Sequence, residues 1–221
     1  MREQTIQAIE KEKLIVIVRG VERGSLIPLA EAMYAGGIRL LEITYDASGK
    51  ISDGETAENI ALLSKHFGER MMIGAGTVLT ESQVDLTKAA GGKFIISPNT
   101  DKDVIQRTRI MDMVSIPGAL TPTEAQAANK FGADFVKLFP LDAMGAGYLK
   151  AISAPLSHIK FLAVGGIDEN NISIEPNYTL LAQKVNEMER PCFIIPTYTA
   201  MLGFRSELVK LSGGADFWEE Q

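Results

Sequence analysis

Two kinds of hydrophobic pattern alternate along the chain. Short apolar runs at 14–18, 38–43, 71–73, 94–96, 113–114, 134–138 and 160–164 are mostly β-branched or aromatic, and they are apolar on both faces. Runs of this kind are read as parallel strands covered on two sides rather than half-exposed hairpins. Longer amphipathic stretches lie between them. Leu26, Leu29, Ala30 and Met33 fall on one helical face. Thr121-Pro122-Thr123-Glu124 predicts a helix start, in which threonine caps, proline takes the first position and glutamate reaches back. Thr80-Glu81-Ser82-Gln83 predicts the same box before another helix. Gly36-Gly37 and Gly91-Gly92 stand where helices end and strands resume.

Strand–helix alternation over this length predicts an α/β fold with a parallel sheet. An eighth strand is expected near 193–195 or 202–204, which gives a small (β/α)8 TIM barrel spanning residues 1–221 as a single domain. The competing architecture is an open doubly wound sheet. That fold wants a Gly-x-Gly-x-x-Gly turn after its first strand, and residues 18–24 do not supply one.

Composition narrows the function. The chain has 221 residues with 28 acidic and 22 basic side chains, a net charge of −6 that offers no basic face to nucleic acid. One cysteine, Cys192, excludes an internal disulfide framework. Two histidines, His66 and His158, cannot make a histidine-rich metal site, and no Cys/His cluster exists. No apolar run reaches the ~20 residues needed to span a bilayer, and the N-terminus lacks a signal-like core. The expectation is a cytoplasmic protein without a membrane partner.

The working face of a parallel barrel lies at the C-terminal ends of its strands. Polar residues expected there are Arg19, Glu42 with Thr44, Thr77, residues 97–99, Ser115, Lys137 and Gly165-Gly166. Lys93 and Lys160 begin strands and belong to the opposite rim. Lys137 lies between apolar neighbours in Phe135-Val136-Lys137-Leu138-Phe139-Pro140. Burial disfavours an ammonium, and a neutral amine beside a carbonyl forms a Schiff base, an electron sink for C–C bond chemistry. The structural alternative is a lysine that snorkels or is paired with a carboxylate. Glu42, also among apolar residues, is positioned to shuttle protons, or to serve as that ion-pair partner. Gly165-Gly166 opens a helix after the seventh strand, where barrels often bind phosphate. The glycines of Gly74-Ala75-Gly76-Thr77 are read as letting backbone approach a ligand, with the Thr77 hydroxyl as donor.

With these residues in view, the chain resembles the class I 2-keto-3-deoxy-6-phosphogluconate (KDPG) and 4-hydroxy-2-oxoglutarate (KHG) aldolases from about residue 14 to 171. The resemblance is carried in order by Leu41-Glu42-Ile43-Thr44, Gly74-Ala75-Gly76-Thr77-Val78-Leu79, Phe94-Ile95-Ile96-Ser97-Pro98, residues 117–124, Val136-Lys137-Leu138-Phe139-Pro140 and Val164-Gly165-Gly166-Ile167. It implies a homotrimer of barrels that needs no metal or cofactor and cleaves a 2-keto-3-deoxy sugar acid into pyruvate and an aldehyde. It further implies Lys137 as Schiff-base lysine and Glu42 as proton shuttle. Arg19 and Thr77 would meet anionic ends of the substrate, Pro98 and Phe139 would line the pocket, and Gly165, Gly166 and Ser206 would bind phosphate.

Two departures stand out. Many family members have arginine where this chain has Asp46, which either repels a substrate carboxylate or points elsewhere. The interval after Asn171 is longer than the family pattern, an insertion of a kind barrels tolerate, and it makes the last βα unit atypical. Two other functions fit a barrel with these residues: a phosphate-binding isomerase or synthase, and a non-catalytic barrel with a degraded phosphate site.

Overall fold

The computed structural model describes residues 1–141, 144–165 and 193–195. Helix α1 (Arg2–Glu12) precedes strand β1 (Val16–Val18), α2 (Arg23–Ala35), β2 (Leu40–Thr44), α3 (Asp53–Phe67) and β3 (Met72–Gly76). Then come α4 (Glu81–Ala89), β4 (Phe94–Ile96), α5 (Lys102–Ile110), β5 (Val114–Ile116) and β6 (Gly118–Ala119). The described part closes with α6 (Pro122–Phe131), β7 (Val136–Leu138), α7 (Ala146–Ser153), β8 (Phe161–Val164) and β9 (Phe193–Ile195).

All described pairings are parallel and follow chain order, β1 to β5 in one sheet and β6 to β9 in the other. Pro117 divides what is otherwise one strand. Proline has no N–H for a ladder, so β5 serves β4 and β6 serves β7. The Pro117 carbonyl still accepts from the Lys137 backbone N–H at 2.8 Å. Counted this way the described strands number eight, and the last lies at 193–195, one of the two places expected for it.

Side-chain alternation along the strands sorts the interior from the exterior. Ile15, Leu40, Phe94, Ile96, Val114, Ile116, Phe135, Leu162 and Val164 form one buried cluster, with Ile17, Met72 and Phe139 against it. One cluster fed from β1 to β5, from the residues flanking β7 and from β8 marks a barrel interior, and it rules out the open sheet, whose two faces would pack separately against helices. The alternate residues pack outward on the helices, Leu41, Ile43, Ile73 and Ile95 on one side and Val136, Leu138, Phe161 and Ala163 on the other. Fully burying a side chain such as Phe94 is worth roughly 1.5–3 kcal/mol.

Helix starts follow their sequence signals with one correction. Thr121 and Glu124 form the reciprocal box, with Pro122 in the first turn. At Thr80 the box is half made: its hydroxyl accepts from the Gln83 N–H at 3.2 Å. The Gln83 side chain turns elsewhere, accepting from Leu79 N at 2.8 Å and donating to Asp53 at 3.1 Å. Gly36-Gly37 ends α2 as expected, with φ 94° at Gly37.

Helix α1 closes the N-terminal rim, with Ile6 and Ile9 joining the interior cluster. Arg2 binds the Asp134 carboxylate, and Lys160, at the start of β8, pairs with Glu10. Ser115 is not at a strand end. It sits in mid-strand between the inward Val114 and Ile116, and so on the outer face.

Candidate active site

Glu42 is the middle residue of β2, flanked in register by Ile17 and Gly74. Leu40 faces the barrel interior while Leu41 and Ile43 face the helices, so Glu42 projects inward. It is 2% exposed, and its Oε2 atom has no hydrogen-bond partner among the described residues. Lys137 projects inward from β7 by the same logic, between the inward Phe135 and Phe139, and is 7% exposed. The Phe139 ring centroid lies 4.4 Å from Nζ, covering the amine with an apolar face.

Each group perturbs the other. Burial pushes the Glu42 carboxyl up, and the positive charges of Lys137 and then Arg19 oppose that rise. Burial pulls the Lys137 amine down. The Glu42 charge works against this fall and the Arg19 charge adds to it. Desolvation leads in both cases, so the interior favours the uncharged forms of both groups. An amine that can lose its proton and an acid that can hold one are thereby placed together. Arg19, exposed just after β1, acts electrostatically on both.

Thr77, Pro98 and Gly165 lie on the same C-terminal rim, each just past the end of its strand. Thr77 follows β3 with φ 57°, a value seldom taken by a β-branched residue, and it ends the alternation of that strand. Pro98 follows β4, and its carbonyl lies where a Gly118 β-carbon would come within 2.3 Å. Gly165 follows β8 with φ 104°, tucked where a β-carbon would stand 3.2 Å from Phe139, Pro140 and Leu141 atoms. Gly166 and Ser206, like the atypical last unit, lie outside the described residues.

The glycines of β3 were expected to admit a ligand, and the structure corrects this. The ring of Phe94 fills the space beside Gly74, and the Glu42 carboxylate fills that beside Gly76. Protein side chains, not open space, explain both. Asp46 proves to be turned onto its own loop. It accepts from Ser48 N at 2.9 Å, Ser48 Oγ at 2.7 Å and Ile51 N at 2.9 Å. These bonds, led by the Ser48 hydroxyl, lower its carboxyl to about 2.

A buried lysine and a buried glutamate share the interior of this (β/α)8 barrel, the pairing that an imine-forming enzyme needs. The family model described as KDPG and KHG aldolase matches residues 5–185. A 2-dehydro-3-deoxy-phosphogluconate aldolase of Treponema pallidum is 32% identical over 168 residues, covering 76% of this chain and 77% of its own length. A 2-dehydro-3-deoxy-6-phosphogalactonate aldolase of Escherichia coli is 34% identical over 164 residues, covering 74% and 77%. The crystal structure of a Legionella pneumophila KDPG aldolase, with pyruvate captured as a covalent carbinolamine, superposes with a TM-score of 0.71 at 27% identity, covering 93% of this chain and 95% of that one. The chain belongs to the KDPG and KHG aldolase family, and its class is that of the aldehyde-lyases. Among the described residues no helix is long and apolar enough to cross a membrane.

Proposed function

We propose that this aldolase cleaves a 2-keto-3-deoxy sugar acid to pyruvate and an aldehyde, with Lys137 as the covalent nucleophile and Glu42 as its proton shuttle. KDPG, its phosphogalactonate counterpart and KHG are the leading substrates, releasing glyceraldehyde 3-phosphate from the first two and glyoxylate from the third. The observation that carries the reading is a buried Lys137 and a buried Glu42 that each feel the other's charge, with no hydrogen-bond partner on Glu42 Oε2 among the described residues. An under-satisfied carboxyl of this kind is costly for the fold and useful to a proton-transfer site.

The neutral Lys137 amine attacks the C2 ketone, and the resulting carbinolamine loses water to give an iminium. Glu42 supplies the proton that the departing hydroxide needs. As carboxylate it then takes the C4 hydroxyl proton, directly or through water. The C3–C4 bond breaks, its electron pair moves into the iminium, and the aldehyde leaves. Glu42 returns a proton to C3 of the enamine. Water adds to the iminium, and pyruvate departs with the lysine restored.

Arg19 and Thr77 are assigned the anionic ends of the substrate, and Phe139 and Pro98 the walls. Gly165, Gly166 and Ser206 are assigned the phosphate. Residues 1–221 are taken as one domain that assembles as a homotrimer. The loop-bound Asp46 leaves the substrate carboxylate to Arg19 and Thr77. The test is pyruvate release from the three keto acids, measured with purified protein. Release from at least one, abolished by Lys137→Met, is expected. Release from none, or full release by the variant, overturns the proposal.

A further inference from the structure

Strand β3 presents glycine at both of the inward positions that follow Met72. The two are not equivalent. A β-carbon on Gly74 would lie 2.3 Å from Cδ2 and Cε2 of Phe94, a ring with no solvent exposure. That ring belongs to the interior packing and has nowhere to retreat. A β-carbon on Gly76 would instead lie 1.5 Å from Glu42 Oε1, 2.3 Å from its carboxyl carbon and 2.7 Å from its Cγ. It meets the far end of a flexible side chain, which can yield where a packed ring or backbone cannot. Because three consecutive atoms are involved, tilting one oxygen does not relieve the clash. The whole carboxyl group must leave its place.

The same glycine explains how a glutamate fits here at all. Glu42 pairs in register with Gly74, and Gly76 lies two residues further along the neighbouring strand. The absent side chain at 76 is the berth that the carboxyl occupies. We infer that Gly76 is a positioning residue for the reaction: it seats the Glu42 carboxyl beside Lys137, and any β-carbon there withdraws the acid while the barrel stands. This rests on the aldolase reading above. Gly74, by contrast, answers to packing alone.

The test is a set of variants assayed for pyruvate release, thermal midpoint and pH profile. Gly76→Ala is expected to keep KM within about threefold and to lose about a hundredfold in kcat, the scale of one displaced acid–base group. The pH limb governed by Glu42 moves with it. In a Glu42→Gln background the same change costs less than about threefold, because no shuttle is left to misplace. Gly76→Ala combined with Glu42→Asp, one methylene shorter, regains about tenfold over Gly76→Ala alone. If Gly76→Ala lowers the thermal midpoint, the loss disappears in a Glu42→Ala background, where the clashing atoms are gone.

A Gly76→Ala enzyme with parental kcat and pH profile overturns the inference. So does an equal kcat loss with and without Glu42, or an equal loss of thermal midpoint in both backgrounds. Those results with an active parent leave the aldolase reading intact. A parent that releases no pyruvate from any keto acid defeats that reading, and the inference falls with it.

Discussion

Asp134 and Glu42 both keep a carboxyl group away from water, the first at the N-terminal rim and the second in the interior of the same barrel. Asp134, just before β7, has a side chain 5% exposed, and four donors meet it. They are Nε and Nη2 of Arg2, Nη1 of Arg109 at 2.9 Å and the backbone N–H of Ser115 at 3.0 Å. It ties α1, α5 and β5 together at the N-terminal rim. Glu42 is as buried but has an oxygen with no partner, glycines on the neighbouring strand, and a lysine as its chief electrostatic neighbour. The contrast separates two uses of a buried acid. Where hydrogen bonds over-determine it, the acid is architecture. Where they are withheld, it stays free to gain and lose a proton.

Substitutions should split along that line. Lys137→Met is expected to lose at least about four orders of magnitude in kcat while remaining folded, because it removes the proposed covalent nucleophile. Glu42→Gln should lose about 10²–10³-fold, still forming some iminium but protonating the enamine poorly. Asp134→Ala should do the reverse. It should lower unfolding free energy by about 1–3 kcal/mol in urea titration, discounted because Arg2 and Arg109 are part-exposed and can regain water. Its kcat per folded molecule should stay within about twofold of the parent. Equal activity losses in Asp134→Ala and Glu42→Gln would erase the distinction.

Finer tests use pH. With Lys137 pulled down by burial, kcat/KM should rise with pH through a limb below the ordinary lysine value of about 10.4. The Glu42 charge raises that amine, so Glu42→Gln should move the limb to lower pH. The Arg19 charge lowers it, so Arg19→Gln should move the limb to higher pH, with KM raised as well. Opposite signs in the two variants are the outcome to check.

The smallest effect belongs to Asp46. Its carboxyl is held at about 2, below its unfolded value, so the loop bonds are complete at neutral pH and are lost as pH falls through about 2. Asp46→Ala should speed hydrogen exchange at Ser48 and Ile51 and leave the thermal midpoint nearly unchanged.

The strands were legible because burial on both faces writes itself as unbroken apolar runs, and 94–96 and 193–195 coincide with β4 and β9. Lys137 and Glu42 were legible for the same reason, as charges in apolar company. Helix α1 was not. It has no side-chain cap, and its grip comes from Arg2 reaching Asp134, a contact 132 residues away in sequence. Pro117 hid the fifth strand's second half. The β3 glycines were visible, but what fills the space beside them is set by the neighbouring strands. A local motif cannot name Phe94 or Glu42. Gln83 likewise had a cap pattern, and the backbone of Leu79 and the side chain of Asp53 claimed its amide.

The central claim is that one buried amine forms a covalent bond with a keto acid. Incubation with pyruvate and borohydride, followed by peptide mass analysis, tests it directly. One reduced pyruvyl group on Lys137, with matching loss of activity, is the predicted result. An unmodified Lys137 in a protein that still turns over keto acid, or an adduct on a different lysine, would contradict it.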